Sequence, residues 1–297
     1  MRVLLTGGTG FIGQELCADL HASGHELLIV SRDPDKASEV LPETTLIRST
    51  AAEFDEYHPE ALINLAGEPI AEGRWTSTKK QRIIQSRVKA TQSLVSLCER
   101  LGDHRPKVLV SASAMGWYGD QGDRTVTEDT PPREEFAHEI CARWEAEAHK
   151  AEALGVRVAI ARIGLVLDVG GGMLARTLPV FKLGLGGKLG SGKQFMPWIH
   201  RRDMVRVLIF LLERDDLSGP FNASAPHPVT NAEFTRKLAS KLNRPALLPA
   251  PAAALKLAFG EMSRLLLTGA DMRPARLQEA GFEFEFSRLE AALADIL

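Results

Sequence analysis

An α/β fold, with a doubly wound parallel sheet followed by a smaller C-terminal lobe, is the architecture this chain predicts, and three observations carry it. Over the first two thirds, short aliphatic and β-branched runs alternate with longer amphipathic stretches, the pattern of repeated βαβ units. The first run passes directly into Gly7, Gly8, Gly10 and Gly13, a glycine turn at a strand-to-helix junction. Beyond Asp168 the alternation stops, and eight glycines fall between Gly170 and Gly192.

Strands are expected at 3–6, 26–30, 44–47, 61–65, 107–111 and 157–161, with helices at 12–22, 80–100 and 136–154. Gly24 and Gly155 stand just past two of these helices, where a left-handed C-cap is wanted. Asp33 before Pro34 reads as an N-cap followed by proline at the first helical position. Further on, a helix is expected at 204–213 with Asp203 as its cap. Two more, at 231–242 and 287–297, open with the capping-box pairs Thr230 with Glu233 and Ser287 with Glu290. The glycine-rich stretch cannot be one continuous helix and is expected to be mobile until a ligand orders it.

Composition excludes several classes. The formal net charge is -2, from 36 basic and 38 acidic residues, so no bulk field favours nucleic acid or an anionic membrane, and an anion must be bound locally. Cys17, Cys98 and Cys141 are odd in number and far apart, which fits neither a disulfide framework nor a metal clip, and no metal site is expected. The start of the chain lacks the apolar stretch of an export signal, and no run approaches the roughly 20 apolar residues of a membrane helix. The expectation is a cytoplasmic protein, monomeric or homodimeric, with a small polar substrate and no nucleic-acid or membrane partner.

The glycine turn carries the chemistry. Gly7 allows the tight turn, Gly10 lets the backbone approach a pyrophosphate, and Gly13 lets the helix pack on the sheet; Thr9, Phe11 and Ile12 complete the loop. The helix start then offers free N–H groups and a positive dipole end, the arrangement of a Rossmann-type dinucleotide site. At the end of the second strand, where an acid would select NAD, the chain has Ser31 and Arg32. A guanidinium there can pair with a 2′-phosphate and stack on adenine, so NADP(H) is the expected cofactor.

Thr6 to Gly13, taken with Asn64, Leu65, Ala66 and Gly67, resembles the extended short-chain dehydrogenase/reductases, or NAD-dependent epimerase/dehydratase family. The run from Ser111 through Ser113 and Tyr118 to Gly119 is similar to that family's serine-rich fifth-strand end. Arg162 is similar to its arginine after strand six, and Trp198, His200 and Asp203 to its aromatic-His-Asp segment. Val30 to Arg32, Ser86 with Arg87, and the glycines between 184 and 192 narrow the resemblance to the YfcH-type epimerase-family proteins, an atypical branch. The resemblance implies that Ser31 and Arg32 hold the 2′-phosphate and that Leu65, Ala66 and Gly67 line the cofactor. It implies further contacts from Arg87 and Arg162.

The chain departs from the family in its acid/base pair. Short-chain dehydrogenases use Tyr-x-x-x-Lys on the helix after strand five, but residues 136–145 contain neither tyrosine nor lysine. Ser113 remains as a hydrogen-bond partner for a substrate carbonyl or hydroxyl. Tyr118 is a substitute proton donor, with packing an equal alternative. His138 and Cys141 read as an exposed helix histidine and a buried thiol. Two function classes stay open: an NADP(H)-dependent oxidoreductase or epimerase acting on a small polar carbonyl or sugar-like compound with a nonstandard proton donor, and a catalytically impaired NADPH-binding or redox-sensing protein. Residues 187–193 imitate a phosphate-binding P-loop, but Gln194 replaces the required Ser or Thr and no strand precedes the run. Lys188, Lys193 and Gln194 are expected along the substrate cleft or in a mobile surface loop.

The expected domains are 1–168 as the nucleotide-binding unit, with 196–225 returning to it, 169–195 as a glycine-rich cleft segment, and 226–297 as the substrate lobe.

Overall fold

A computed structural model describes residues 1–297. Seven strands form one sheet: β1 Arg2–Thr6, β2 Glu26–Val30, β3 Leu46–Arg48, β4 Ala61–Asn64, β5 Val108–Ala114, β6 Arg157–Ile163 and β7 Gly219–Ala223. Their spatial order is β3, β2, β1, β4, β5, β6, β7, and every neighbouring pair is parallel. Strand periodicity assigns the two faces. Val3, Leu5, Ile63 and Val110 join the core under the Gly13–Ala22 and Arg201–Glu213 helices. Leu4, Leu62 and Leu109 join the core under the Ser77–Leu101 helix on the opposite face. The strand order reverses between β1 and β4, and the crevice beyond their carboxyl ends is where such a sheet takes ligands.

Local chemistry departs from several expectations. Thr45 N–H closes a turn on Pro42 O, so β3 starts at Leu46 rather than at residue 44. The expected 136–154 helix is α-helical only over Phe136–His149 and continues as a 3-10 turn, Lys150–Leu154, ended by Gly155 at φ +81°. Asp203 is not a cap. His200 takes that place, its Nδ1 accepting from Arg202 N at 3.1 Å. Fully buried, Asp203 instead accepts the N–H groups of Glu285 and Phe286 at 3.0 and 2.8 Å, fastening the C-terminal segment. The Ser287 and Glu290 box is absent: the last helix is Leu289–Ile296, and Glu290 pairs with Lys237 at 2.9 Å.

The glycine-rich stretch also differs from expectation, since it holds the Gly172–Lys182 helix. Its glycines bracket a glycine-free run with Leu174, Leu178 and Phe181 at helical spacing. Those three side chains enter a third core with Trp198, Phe234, Leu238 and Leu293. One face of this helix packs on that core and the other is exposed.

Candidate functional site

The glycine loop lies at the reversal between β1 and β4. Gly7 has φ +77°, and a Cβ there would stand 2.7 Å from the carbonyl carbon of Leu65, so the loop rests directly on the Leu65 and Ala66 backbone. A Cβ on Gly13 would come within 2.2 Å of Gly7 O, which allows no side chain. At Gly10 the single near neighbour of such a Cβ is Gly7 O at 3.2 Å, leaving the outer side of the loop clear. The Gly13–Ala22 helix begins with no side-chain cap, and the N–H groups of Phe11 and Ile12 have no acceptor within the protein. This cradle fits a dinucleotide pyrophosphate. Beneath it, Asn64 accepts from Thr6 Oγ1 at 2.7 Å and donates to Thr91 Oγ1 and Ser111 Oγ at 2.8 and 3.2 Å, locking β1, β4 and β5 together.

Cations border the cradle. Arg32, just beyond the end of β2, is exposed and makes no ion pair. Asp33 is turned away as the cap of a short helix, accepting from Lys36 N at 3.2 Å. Ser31 Oγ shapes that turn by accepting from Asp33 N at 3.3 Å and donating to Asp33 O at 3.1 Å. Glu68, beyond Gly67, is held below the usual carboxylate range first by the hydrogen bond from Lys79 and then by the charges of Lys79, Arg82 and Arg32. Arg87 lies against Gly67, donates to Glu68 O and Ile83 O at 3.0 Å each, and sits 5.1 Å from the Trp144 ring. Burial pulls its guanidinium below the usual value, and no carboxylate pairs with it.

The other end of the sheet is closed. Ser113, Arg162 and Asn222 occupy one row across β5, β6 and β7. Ser113 Oγ donates to Glu145 at 2.6 Å, and Arg162 grips both oxygens of the same carboxylate at 3.0 and 2.9 Å. Arg162 Nη1 also donates to Tyr118 OH and Glu128 O at 3.1 Å each, while its guanidinium lies 4.0 Å from the Trp117 ring. Tyr118 OH in turn donates to Asn222 Oδ1 at 2.7 Å. Tyr118 has no exposed surface, and burial pushes its phenol up to about 12.

This network bears on three readings. Tyr118 is sealed in this structure with its proton donated to Asn222, which favours the packing alternative over the proton-donor one. Ser113 gives its one proton to Glu145 rather than to a cleft. Arg162 directs its hydrogen bonds to Glu145, Tyr118 and Glu128 and forms a buried ion pair with Glu145. Sequence reasoning missed Glu145, whose signal was an acid four residues after Cys141 on the buried face of a helix facing an arginine-bearing strand.

Other singled-out residues fall outside the network. His138 is half-buried, its Nδ1 2.7 Å from Trp117 O and its Nε2 unclaimed by any protein group. Cys141 is buried against Ala114 O, with its thiol pushed up to about 11 by burial. Gln194 staples backbone, donating to Leu189 O and Leu266 O, while Lys188 and Lys193 are exposed.

Residues 3–224 match the NAD dependent epimerase/dehydratase family, and residues 250–296 match a domain of unknown function, DUF1731. The chain is 38% identical, over 100% of its length and 87% of the relative, to the epimerase family protein SDR39U1 homolog, chloroplastic, of Arabidopsis thaliana. Human epimerase family protein SDR39U1 (isoform 2), solved with NADPH, superposes with a TM-score of 0.88 at 35% identity, covering 100% of this chain and 99% of that one. A nucleoside-diphosphate sugar epimerase from Corynebacterium glutamicum superposes with a TM-score of 0.79 at 29% identity, covering 100% of this chain and 58% of that one. No helix of the chain is long and apolar enough to cross a membrane.

Proposed function

The chain belongs to the NAD dependent epimerase/dehydratase family, and from that premise we propose that it binds NADP(H) and acts as an oxidoreductase or epimerase on a small polar carbonyl or sugar-like compound. The observation that carries this reading is the unpaired Arg32 at the end of β2, beside a glycine loop whose N–H groups lack acceptors. Phe11 and Ile12 N–H would hold the pyrophosphate, and Arg32 the 2′-phosphate, with Ser31 at its side. Leu65, Ala66 and Gly67 would line the cofactor, with Arg87 as a second cation behind Gly67. The related human protein solved with NADPH supports the cofactor, and the sugar epimerase from Corynebacterium glutamicum supports the substrate class. Three free, buried cysteines suit a reducing compartment, and we place the protein in the cytoplasm.

When bound, the dinucleotide would supply a hydride as NADPH or take one up as NADP+. The chain must supply the proton, and with Ser113 and Tyr118 committed elsewhere the nonstandard donor is His138. Its Nδ1 is anchored on Trp117 O, which orients the ring and leaves Nε2 to exchange a proton with substrate. A second reading, an NADPH-binding or redox-sensing protein without efficient turnover, is favoured by the internal pairing of Ser113, Tyr118 and Arg162. Single-turnover mixing of NADPH-loaded protein with a panel of carbonyls, and of NADP+-loaded protein with nucleotide sugars, separates the two. The enzyme reading expects loss of NADPH absorbance with a carbonyl or its transient gain from bound NADP+ with a nucleotide sugar, slowed about 100-fold by His138→Gln at unchanged NADPH affinity. Tight dinucleotide binding, with no NADPH oxidation by any carbonyl and no reduction of bound NADP+ by any nucleotide sugar, selects the binding reading.

A further inference from the structure

Acidic residues are missing from two long stretches of a chain that is otherwise nearly balanced. Residues 169–202 contain six Lys or Arg and no Asp or Glu; residues 234–260 contain five and none. The fold brings the stretches together. Leu248 N–H donates to Gly186 O at 3.2 Å, Arg244 Nε donates to Lys182 O at 2.9 Å, and Leu189 bridges Ala250. The same stretches hold eight of the eleven large apolar side chains that stand exposed on the protein. Leu183 and Leu247 are 74% and 80% exposed, and Val180, Leu185 and Leu248 are exposed beside them. Lys182, Lys188, Arg236 and Arg244 are exposed at this junction, and none is in an ion pair. A groove of about 540 Å³ connects Lys188, Arg236, Arg244 and Leu247.

We infer that this face docks on an anionic lipid bilayer, with Leu183, Leu185, Leu247 and Leu248 entering the interface and the surrounding cations resting among the headgroups. Leucines ringed by unpaired Lys and Arg are what peripheral membrane contacts use, because apolar burial and headgroup attraction act on the same surface. A second copy of the chain would set this cationic face against its like and be repelled. A protein partner would need a pocket for each outward-pointing leucine, whereas a bilayer accepts them in any arrangement. The whole-chain charge of -2 argued against a membrane partner because it averages away this local asymmetry. The inference is independent of the chemistry proposed above.

Co-sedimentation of the full chain with vesicles of phosphatidylcholine alone, or of phosphatidylcholine with phosphatidylglycerol, tests it. Binding is expected with the anionic vesicles, about tenfold or more above the neutral ones, and weakening as NaCl rises from about 0.1 to 0.5 M. The pairs Leu183→Ser with Leu247→Ser, and Lys188→Glu with Arg236→Glu, should each cut it about tenfold or more. Both pairs should leave the thermal midpoint and NADPH affinity unchanged, since all four side chains are exposed and outside the cofactor cradle. Failure to sediment with anionic vesicles would overturn the inference. So would binding that both pairs leave intact, selective capture of an acidic amphipathic peptide with vesicles ignored, or a dimer that either pair dissolves.

Discussion

Just past β2, Arg32 makes no ion pair, and the N–H groups of the neighbouring glycine loop have no acceptor. Beyond β5 and β6 the arrangement is reversed: Arg162 spends its donors on Glu145, Tyr118 and Glu128, and the hydroxyls of Ser113 and Tyr118 are each donated to a buried acceptor. Both regions carry residues that the family motif marks as functional. Of those motif residues, Arg32 and the loop N–H groups keep hydrogen-bonding capacity to offer a ligand, whereas Ser113, Tyr118 and Arg162 have committed theirs. A motif residue therefore reads as a binding or reacting group when its donors and acceptors are unspent, and as part of the scaffold when they are used internally.

The largest expected effect breaks the closed end. Arg162→Met would leave the Glu145 carboxylate buried without its counter-charge, and should cost about 3–5 kcal/mol in urea unfolding. The double variant with Glu145→Met should recover much of that loss, because no unpaired charge remains. A cost near zero for the single variant would mean that the network is not a scaffold. Tyr118→Phe is the next test. It strips Asn222 Oδ1 of a donor and Arg162 of an acceptor, and should cost about 1–3 kcal/mol. NADPH affinity and any turnover should be unchanged, and a selective fall in turnover would return Tyr118 to the chemistry.

The open end was legible in the sequence because each of its parts is local. Gly7, Gly10 and Gly13 sit within one strand-to-helix turn, and Asp33 with Pro34 announces its own cap. The closed end was not legible, since Ser113, Tyr118, Glu128, Glu145, Arg162 and Asn222 come from separate parts of the chain and meet only when strands and helix assemble. Similar competition defeated two caps: Asp203 and Glu290 both had a suitable local position, but distant backbone N–H groups and Lys237 claimed their carboxylates. The Gly172–Lys182 helix was legible in its apolar spacing and was masked by the glycines on either side.

The smallest effect concerns Glu128. Its Oε1 accepts from Asn222 N and Arg276 N, its Oε2 has no partner, and burial raises its pKa against the lowering effect of those hydrogen bonds. A raised folded-state value means that the fold favours the protonated acid. That contribution is fully present below the ordinary carboxylate pKa and is lost as pH rises through the raised value. Glu128→Gln stays neutral throughout, so its stability relative to wild type should climb across that window, by about 1 kcal/mol or less. Thermal midpoints of the two proteins, compared at about pH 4 and pH 7, provide the check.

Titration of NADPH and NADH into wild type and Arg32→Glu tests the contrast between the two ends most directly. Wild type should hold NADPH about 10- to 150-fold more tightly than NADH, the worth of one charge-assisted pair. Arg32→Glu should abolish that preference while its unfolding free energy stays within about 0.5 kcal/mol of wild type, as expected for an exposed side chain with no partner to lose. Equal affinity of wild type for the two dinucleotides would contradict the assignment of Arg32 as the open site's phosphate-reading residue.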